Sequence, residues 1–166
     1  NDSIYDYDYY TSGAAKGALK KISANGTWES YEYDNLGRLT RTTQHIDATI
    51  SDLVFKYAYD EFGNINKIEY PSGLSVTREY DNYGNLTKVV QGNTVIWQLN
   101  SLNATRMAYT LGNGLVTEKT FDSKGYLSSI KTQKGTSVVQ WNNYSFDAAK
   151  ALLLSREDAR TGYGLK

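Results

Sequence analysis

The chain has 166 residues, 18 lysines and arginines against 18 aspartates and glutamates, and no cysteine. The charge balance argues against the basic stripe of a nucleic-acid surface and the polybasic patch of a membrane-surface protein, and the missing cysteine excludes disulfides and zinc–thiolate sites. No apolar run approaches the ~18 residues of a spanning helix, while 15 tyrosines, 14 glycines and a single proline favour strands and tight turns.

The first element, Tyr5-Asp6-Tyr7-Asp8, runs through a long insert to Gly17-Ala18-Leu19-Lys20-Lys21-Ile22. Next comes Tyr31-Glu32-Tyr33-Asp34-Asn35-Leu36-Gly37-Arg38-Leu39, and Tyr57-Ala58-Tyr59-Asp60-Glu61-Phe62-Gly63-Asn64-Ile65 is nearly the same string. A third copy, Tyr80-Asp81-Asn82-Tyr83-Gly84, follows the turn Tyr70-Pro71-Ser72-Gly73, and a fourth, Phe121-Asp122-Ser123-Lys124-Gly125, puts Phe in the Tyr position. Between these two, Trp97-Gln98-Leu99-Asn100-Ser101-Leu102-Asn103 reads as a degenerate copy, with Trp97 in a tyrosine slot and Asn100 in place of the aspartate. Near the end, Tyr144-Ser145-Phe146-Asp147 keeps the opening of the motif and has lost the glycine. Lined up on the aspartate, the copies recur with a loose period of roughly 23 residues.

Each unit reads as a hairpin. Residues alternate before the motif (Leu74 to Tyr80) and after it (Asn85 to Val89), which is the period-two signature of strands. Asp at the first turn position accepts bonds from turn amides. Gly at the fourth takes positive φ, giving a type I turn with a bulge. Gln91-Gly92-Asn93-Thr94, Leu111-Gly112-Asn113-Gly114 and Gln133-Lys134-Gly135-Thr136 read as the reversals between hairpins. The expected fold is all-β: one long, twisted antiparallel meander of roughly fourteen strands, about 65 Å across if flat, so the sheet must curl. Residues 1–166 are expected to form a single sheet region of about seven repeats, the outer ones degenerate. In the tail, the repeat register places a strand at Leu152 to Ser155, whereas the helix formers over 148–160 make a helix the alternative.

Tyr-x-Tyr-Asp-x-x-Gly-x-Leu at this spacing resembles the YD repeat of the RHS-repeat proteins, over about residues 5–156. The resemblance implies a β-sheet strip that winds into a hollow shell, as in bacterial polymorphic toxins, insecticidal toxin-complex cages and teneurins. In the toxins the shell sequesters a C-terminal effector, and a segment rich in Asp-Pro and Gly after the last repeat carries self-cleavage. This chain has no Asp-Pro, so neither the protease element nor an effector carries over. The repeat-signature residues are Tyr33, Asp34, Gly37, Tyr59, Asp60, Gly63, Tyr80, Asp81, Gly84, Phe121, Asp122 and Gly125, all in structural roles.

No catalytic or cofactor motif competes with that reading. The chain holds one histidine, His45, and no Walker loop, Gly-x-Ser-x-Gly or His-Glu-x-x-His. Asp6 and Asp8 would share a strand face at ~7 Å, a glycosidase-like spacing without other support. Asp and Asn in turns offer oxygens to calcium, but the EF-hand and nonapeptide spacings are missing. The tyrosines read first as cross-strand ladders; the competing reading makes Tyr31, Tyr57 and Trp97 a stacking platform for sugars.

The expected function is therefore a non-enzymatic segment of a larger secreted or cell-surface protein, bacterial by resemblance, with no cofactor. Its expected partners are the rest of the parent polypeptide and, through open sheet edges, a second copy. The alternatives are a glycan-binding adhesin module and, more remotely, a glycoside hydrolase.

Overall fold

The computed structural model describes residues 4–165, apart from the side chains of Tyr163 and Leu165. Its fifteen strands are β1 Asp6–Tyr9, β2 Leu19–Ala24, β3 Thr27–Tyr33, β4 Leu39–His45, β5 Leu53–Tyr59, β6 Ile65–Glu69, β7 Ser75–Tyr80, β8 Leu86–Gln91, β9 Thr94–Asn103, β10 Arg106–Leu111, β11 Val116–Phe121, β12 Leu127–Lys134, β13 Ser137–Asp147, β14 Leu152–Asp158 and β15 Tyr163–Leu165. They follow chain order in an antiparallel meander that does not close. Among the described residues there is no helix, and so none long and apolar enough to cross a membrane. The chain divides after Arg78, inside β7, into two compact units.

In the first unit the pleat separates two chemistries. Thr42 stands opposite both Tyr31 and Phe55, and Ile68 opposite both Tyr57 and Val76, so one face is aromatic and aliphatic. The other face pairs Glu32 with Arg41, Arg41 with Lys56 and Lys56 with Glu69. Its charges meet as Arg41–Glu32 at 3.5 Å and Lys56–Glu69 at 3.3 Å.

In the second unit, Trp97 packs on Tyr109 with ring centroids 5.7 Å apart, and Tyr126 stacks on Phe146 at 5.3 Å. The opposed hydroxyls of Thr117 and Thr132 lie 2.9 Å apart and are buried.

Neither unit has a closed core: the only buried hydrophobic residue among those described is Ala108. Cross-strand pairs worth roughly 0.2–1 kcal/mol each, summed over neighbouring hairpins, take its place.

Residues 148–160, for which a helix was the alternative expectation, form a turn and strand β14. The helix formers there are overridden by pairing. β14 hydrogen-bonds β13 on one side, with Phe146 opposite Leu153, and β15 on the other. A short isolated helix would satisfy none of those strand edges.

Candidate functional site

The recurring Asp-x-x-Gly closes every intact hairpin by one geometry. In the first, Gly37 N–H donates to the Asp34 carbonyl at 3.0 Å, and Asp34 N–H donates to the Arg38 carbonyl at 2.9 Å. Gly37 has φ +78°, which an L side chain adopts only with strain. The Asp34 carboxylate then works inward: Oδ1 accepts from the N–H of Leu36 and of Arg38, both at 2.9 Å, and Oδ2 binds the Arg38 guanidinium at 2.7 Å. Asp60 holds Phe62 and Asn64 in the same way, Asp81 holds Tyr83 and Asn85, and Asp122 holds Lys124 and Tyr126.

These bonds favour the ionised carboxylate. The backbone N–H of Arg38 holds the Asp34 carboxyl below the usual carboxylate range. The side-chain amide of Asn64 does so first for Asp60, and that of Asn85 for Asp81.

The motif tyrosine joins one hairpin to the hairpin before it. The Tyr33 hydroxyl donates to the Leu19 carbonyl at 3.0 Å, and that of Tyr59 to the Leu39 carbonyl at 2.7 Å. Burial pushes both phenols up, which keeps them protonated as donors. The Arg38 guanidinium, fixed by Asp34, lies 4.4 Å from the Tyr59 ring centre, so turn, arginine and next tyrosine form one unit.

A second device is the β-bulge just past each turn. Thr40 is the extra residue between Leu39, opposite Tyr33, and Arg41, opposite Glu32. Its hydroxyl donates to the Glu32 carbonyl at 3.1 Å, and Thr87 does the same to Glu79 at 3.0 Å. Sequence reasoning expected a bulge with the glycine turn but passed over the tyrosine tie and the threonine bond at the bulge. The recurrence of Gly-x-Leu-Thr at Gly37–Thr40 and Gly84–Thr87 was the signal of the threonine bond.

Two degenerate copies lie in a different register from the one expected. Asp8 is inside β1, pairs with Lys20 at 2.9 Å and opens no turn. The aspartate's place falls to Tyr10, whose N–H donates to the Ala18 carbonyl at 3.0 Å, with Tyr9 opposite Leu19 as Tyr33 is opposite Leu39. Likewise Asn100 is inside β9, bonded to Thr110, and the turn opens at Asn103, whose Oδ1 accepts from Thr105 N–H at 3.0 Å. Leu102, not Leu99, therefore precedes the turn opener, and Trp97 falls out of the tyrosine slot expected for it. At Asp147 the missing glycine is replaced by Ala151, one position later and at φ +55°.

Of the other candidates, Tyr31 and Tyr57 are half-buried in the apolar face and Trp97 lies against Tyr109. His45 Nδ1 is 2.7 Å from Asp52 Oδ1, and its ring stacks on Trp28 at 5.3 Å. Among the described residues no three His, Asp or Glu side chains converge to hold a metal ion.

Fold and turns together define a meander of YD-repeat hairpins. The sequence model of the Teneurin YD-shell family matches residues 10–148, and the chain belongs to that family. Among solved structures, the crystal structure of TcdB2-TccC3 superposes with a TM-score of 0.75 at 16% identity, covering 93% of this chain and 9% of the other. The complex without its hypervariable C-terminal region gives 0.77, and the Photorhabdus luminescens Tc holotoxin pore 0.73, both at 16% identity and the same coverages. At that identity the likeness is one of fold, and the chain spans about a tenth of the length of those it matches. No curated protein matches the sequence.

Proposed function

We propose that this chain is a non-enzymatic stretch of wall in a larger secreted or cell-surface RHS/YD-repeat protein, part of a β-sheet shell that encloses or presents a C-terminal effector. The observation that carries the reading is the tie from hairpin to hairpin: Tyr33 to Leu19 and Tyr59 to Leu39. Such ties extend a sheet by one hairpin at a time, as a wall requires, and build no cleft. The recurring aspartates are engaged by the amides of their own turns, which leaves them poor candidates for acid–base work.

The enclosing role rests on analogy with the toxin structures, one of which is named for lacking a hypervariable C-terminal region. Limited proteolysis of the parent polypeptide tests it. The reading expects the segment after the repeats to survive at protease levels that digest the same segment expressed alone. Equal digestion of the two overturns enclosure.

As an isolated piece the chain is expected to self-associate through β1, whose four residues are all exposed. A monomer whose mass in light scattering does not change with concentration contradicts this.

A further inference from the structure

The hairpin β9–β10 is the one where Asp-x-x-Gly has given way to Asn103-Ala104-Thr105, and that triplet is an Asn-x-Thr acceptor sequence for N-glycosylation. Four further triplets of this form occur: Asn1-Asp2-Ser3, which lies outside the described residues, and Asn25-Gly26-Thr27, Asn85-Leu86-Thr87 and Asn143-Tyr144-Ser145. The structure separates the four described triplets by what each hydroxyl does. Thr27 donates to the Ala24 carbonyl at 2.7 Å, Thr87 to the Glu79 carbonyl at 3.0 Å, and Ser145 pairs with Ser155 at 2.6 Å across β13 and β14.

Only in the fourth does the hydroxyl return to its own asparagine. Thr105 Oγ1 donates to Asn103 Oδ1 at 3.3 Å and Thr105 N–H to the same oxygen at 3.0 Å. Two donors on the amide oxygen draw electron density from Nδ2 and make its proton easier to lose. All three residues of the triplet are exposed, and Asn103 Nδ2 has no hydrogen-bond partner among the described residues. Asn85 Nδ2, by contrast, donates to both carboxylate oxygens of Asp81, at 3.3 and 3.0 Å. Asn143 is held in the middle of β13, opposite Glu157, where the chain is extended and no turn can form.

We infer that Asn103 is an N-glycan acceptor of the folded chain, its side-chain amide replacing an aspartate that elsewhere only closes the turn. Oδ1 keeps the capping bond of that aspartate, so the turn survives the modification. In the transfer, Nδ2 attacks the anomeric carbon of an oligosaccharide carried on a lipid pyrophosphate. The bond from that carbon to the pyrophosphate oxygen breaks, the pyrophosphate leaves with the electron pair, and Nδ2 gives up one proton. The inference rests on the extracellular reading for its setting, but the acceptor chemistry is tested apart from it.

The experiment presents the purified, folded chain to an N-oligosaccharyltransferase with a lipid-pyrophosphate oligosaccharide, and maps the product by peptide mass spectrometry. One glycan at Asn103 is expected, with the Asn85 and Asn143 peptides unmodified. Thr105→Val and Asn103→Asp should each abolish transfer. Asn103→Asp keeps the Oδ1 cap, so an unchanged strand spectrum by circular dichroism shows that loss of transfer is not loss of fold. An unmodified Asn103 peptide, or modification of Asn85 or Asn143 to the same extent, overturns the inference. Failure of the parent chain to leave its cell would count against the extracellular reading alone.

Discussion

The Tyr59 hydroxyl donates to the Leu39 carbonyl at 2.7 Å, across twenty residues of sequence and from one hairpin to the one before it. Tyr33 and Leu19 repeat the relationship one unit earlier. Removing either hydroxyl leaves a half-buried carbonyl without its donor, a loss of about 1 kcal/mol. Tyr59→Phe and Tyr33→Phe are each expected to lower Tm by about 2–4 °C. Tyr57→Phe is the control, because the Tyr57 hydroxyl has no hydrogen-bond partner among the described residues, and it is expected to leave Tm unchanged. Thermal unfolding followed by circular dichroism reads all three.

The turn aspartates set an acid limit on stability. Asp34, Asp60, Asp81 and Asp158 all ionise below the usual carboxylate range when folded, the last chiefly through the Arg160 guanidinium. A carboxyl lowered by folding contributes its full stabilisation above its unfolded pKa of about 4 and loses it as pH falls through the folded value. Urea midpoints should therefore be flat from about pH 7 to pH 5 and fall steadily below about pH 4. Asp60→Asn combined with Asp81→Asn should flatten the acid limb. A limb of unchanged steepness in the double variant would place the acid sensitivity elsewhere.

Glycine is required at the turns for two separable reasons. Both Gly37 and Gly63 have positive φ, +78° and +89°, but an added Cβ at Gly37 would also lie 3.2 Å from the Ala14 carbonyl oxygen, whereas at Gly63 it meets nothing within 4 Å. Gly63→Ala should cost the dihedral strain alone, about 1–2 kcal/mol, and Gly37→Ala more than that. The converse holds at Ala151, a non-glycine at φ +55°, where Ala151→Gly is expected to stabilise by about 1 kcal/mol. Chemical denaturation of the three variants checks the order.

The bulge offers a stabilising change. Asn66 occupies in β6 the place that Thr40 holds in β4, and its buried Oδ1 has no hydrogen-bond partner among the described residues. Asn66→Thr would supply a hydroxyl to the facing carbonyl and remove the orphaned acceptor, raising stability by about 1 kcal/mol, as read from the urea midpoint.

The turns were legible in the sequence because their chemistry is local: Asp and Gly at fixed spacing specify a type I turn with a bulge wherever they stand. The register of degenerate copies was not, because Asp8 and Asn100 mimic the motif in composition while Tyr10 and Asn103 hold its position in the pairing. The tyrosine ties were read only as ring packing, since nothing in one repeat reveals that its hydroxyl reaches a carbonyl in the preceding one. In the tail the repeat register placed a strand at Leu152 to Ser155 against the helix formers over 148–160, and pairing with β13 and β15 holds β14 there.

The central claim is that this chain is wall, and electron cryomicroscopy of the parent polypeptide measures it most directly. The account predicts that residues 10–148 run as consecutive strands within a larger shell, with further hairpins of the same polypeptide hydrogen-bonded beyond both ends. Density showing these residues as a separate module outside any shell, with no flanking strands paired to it, would contradict it.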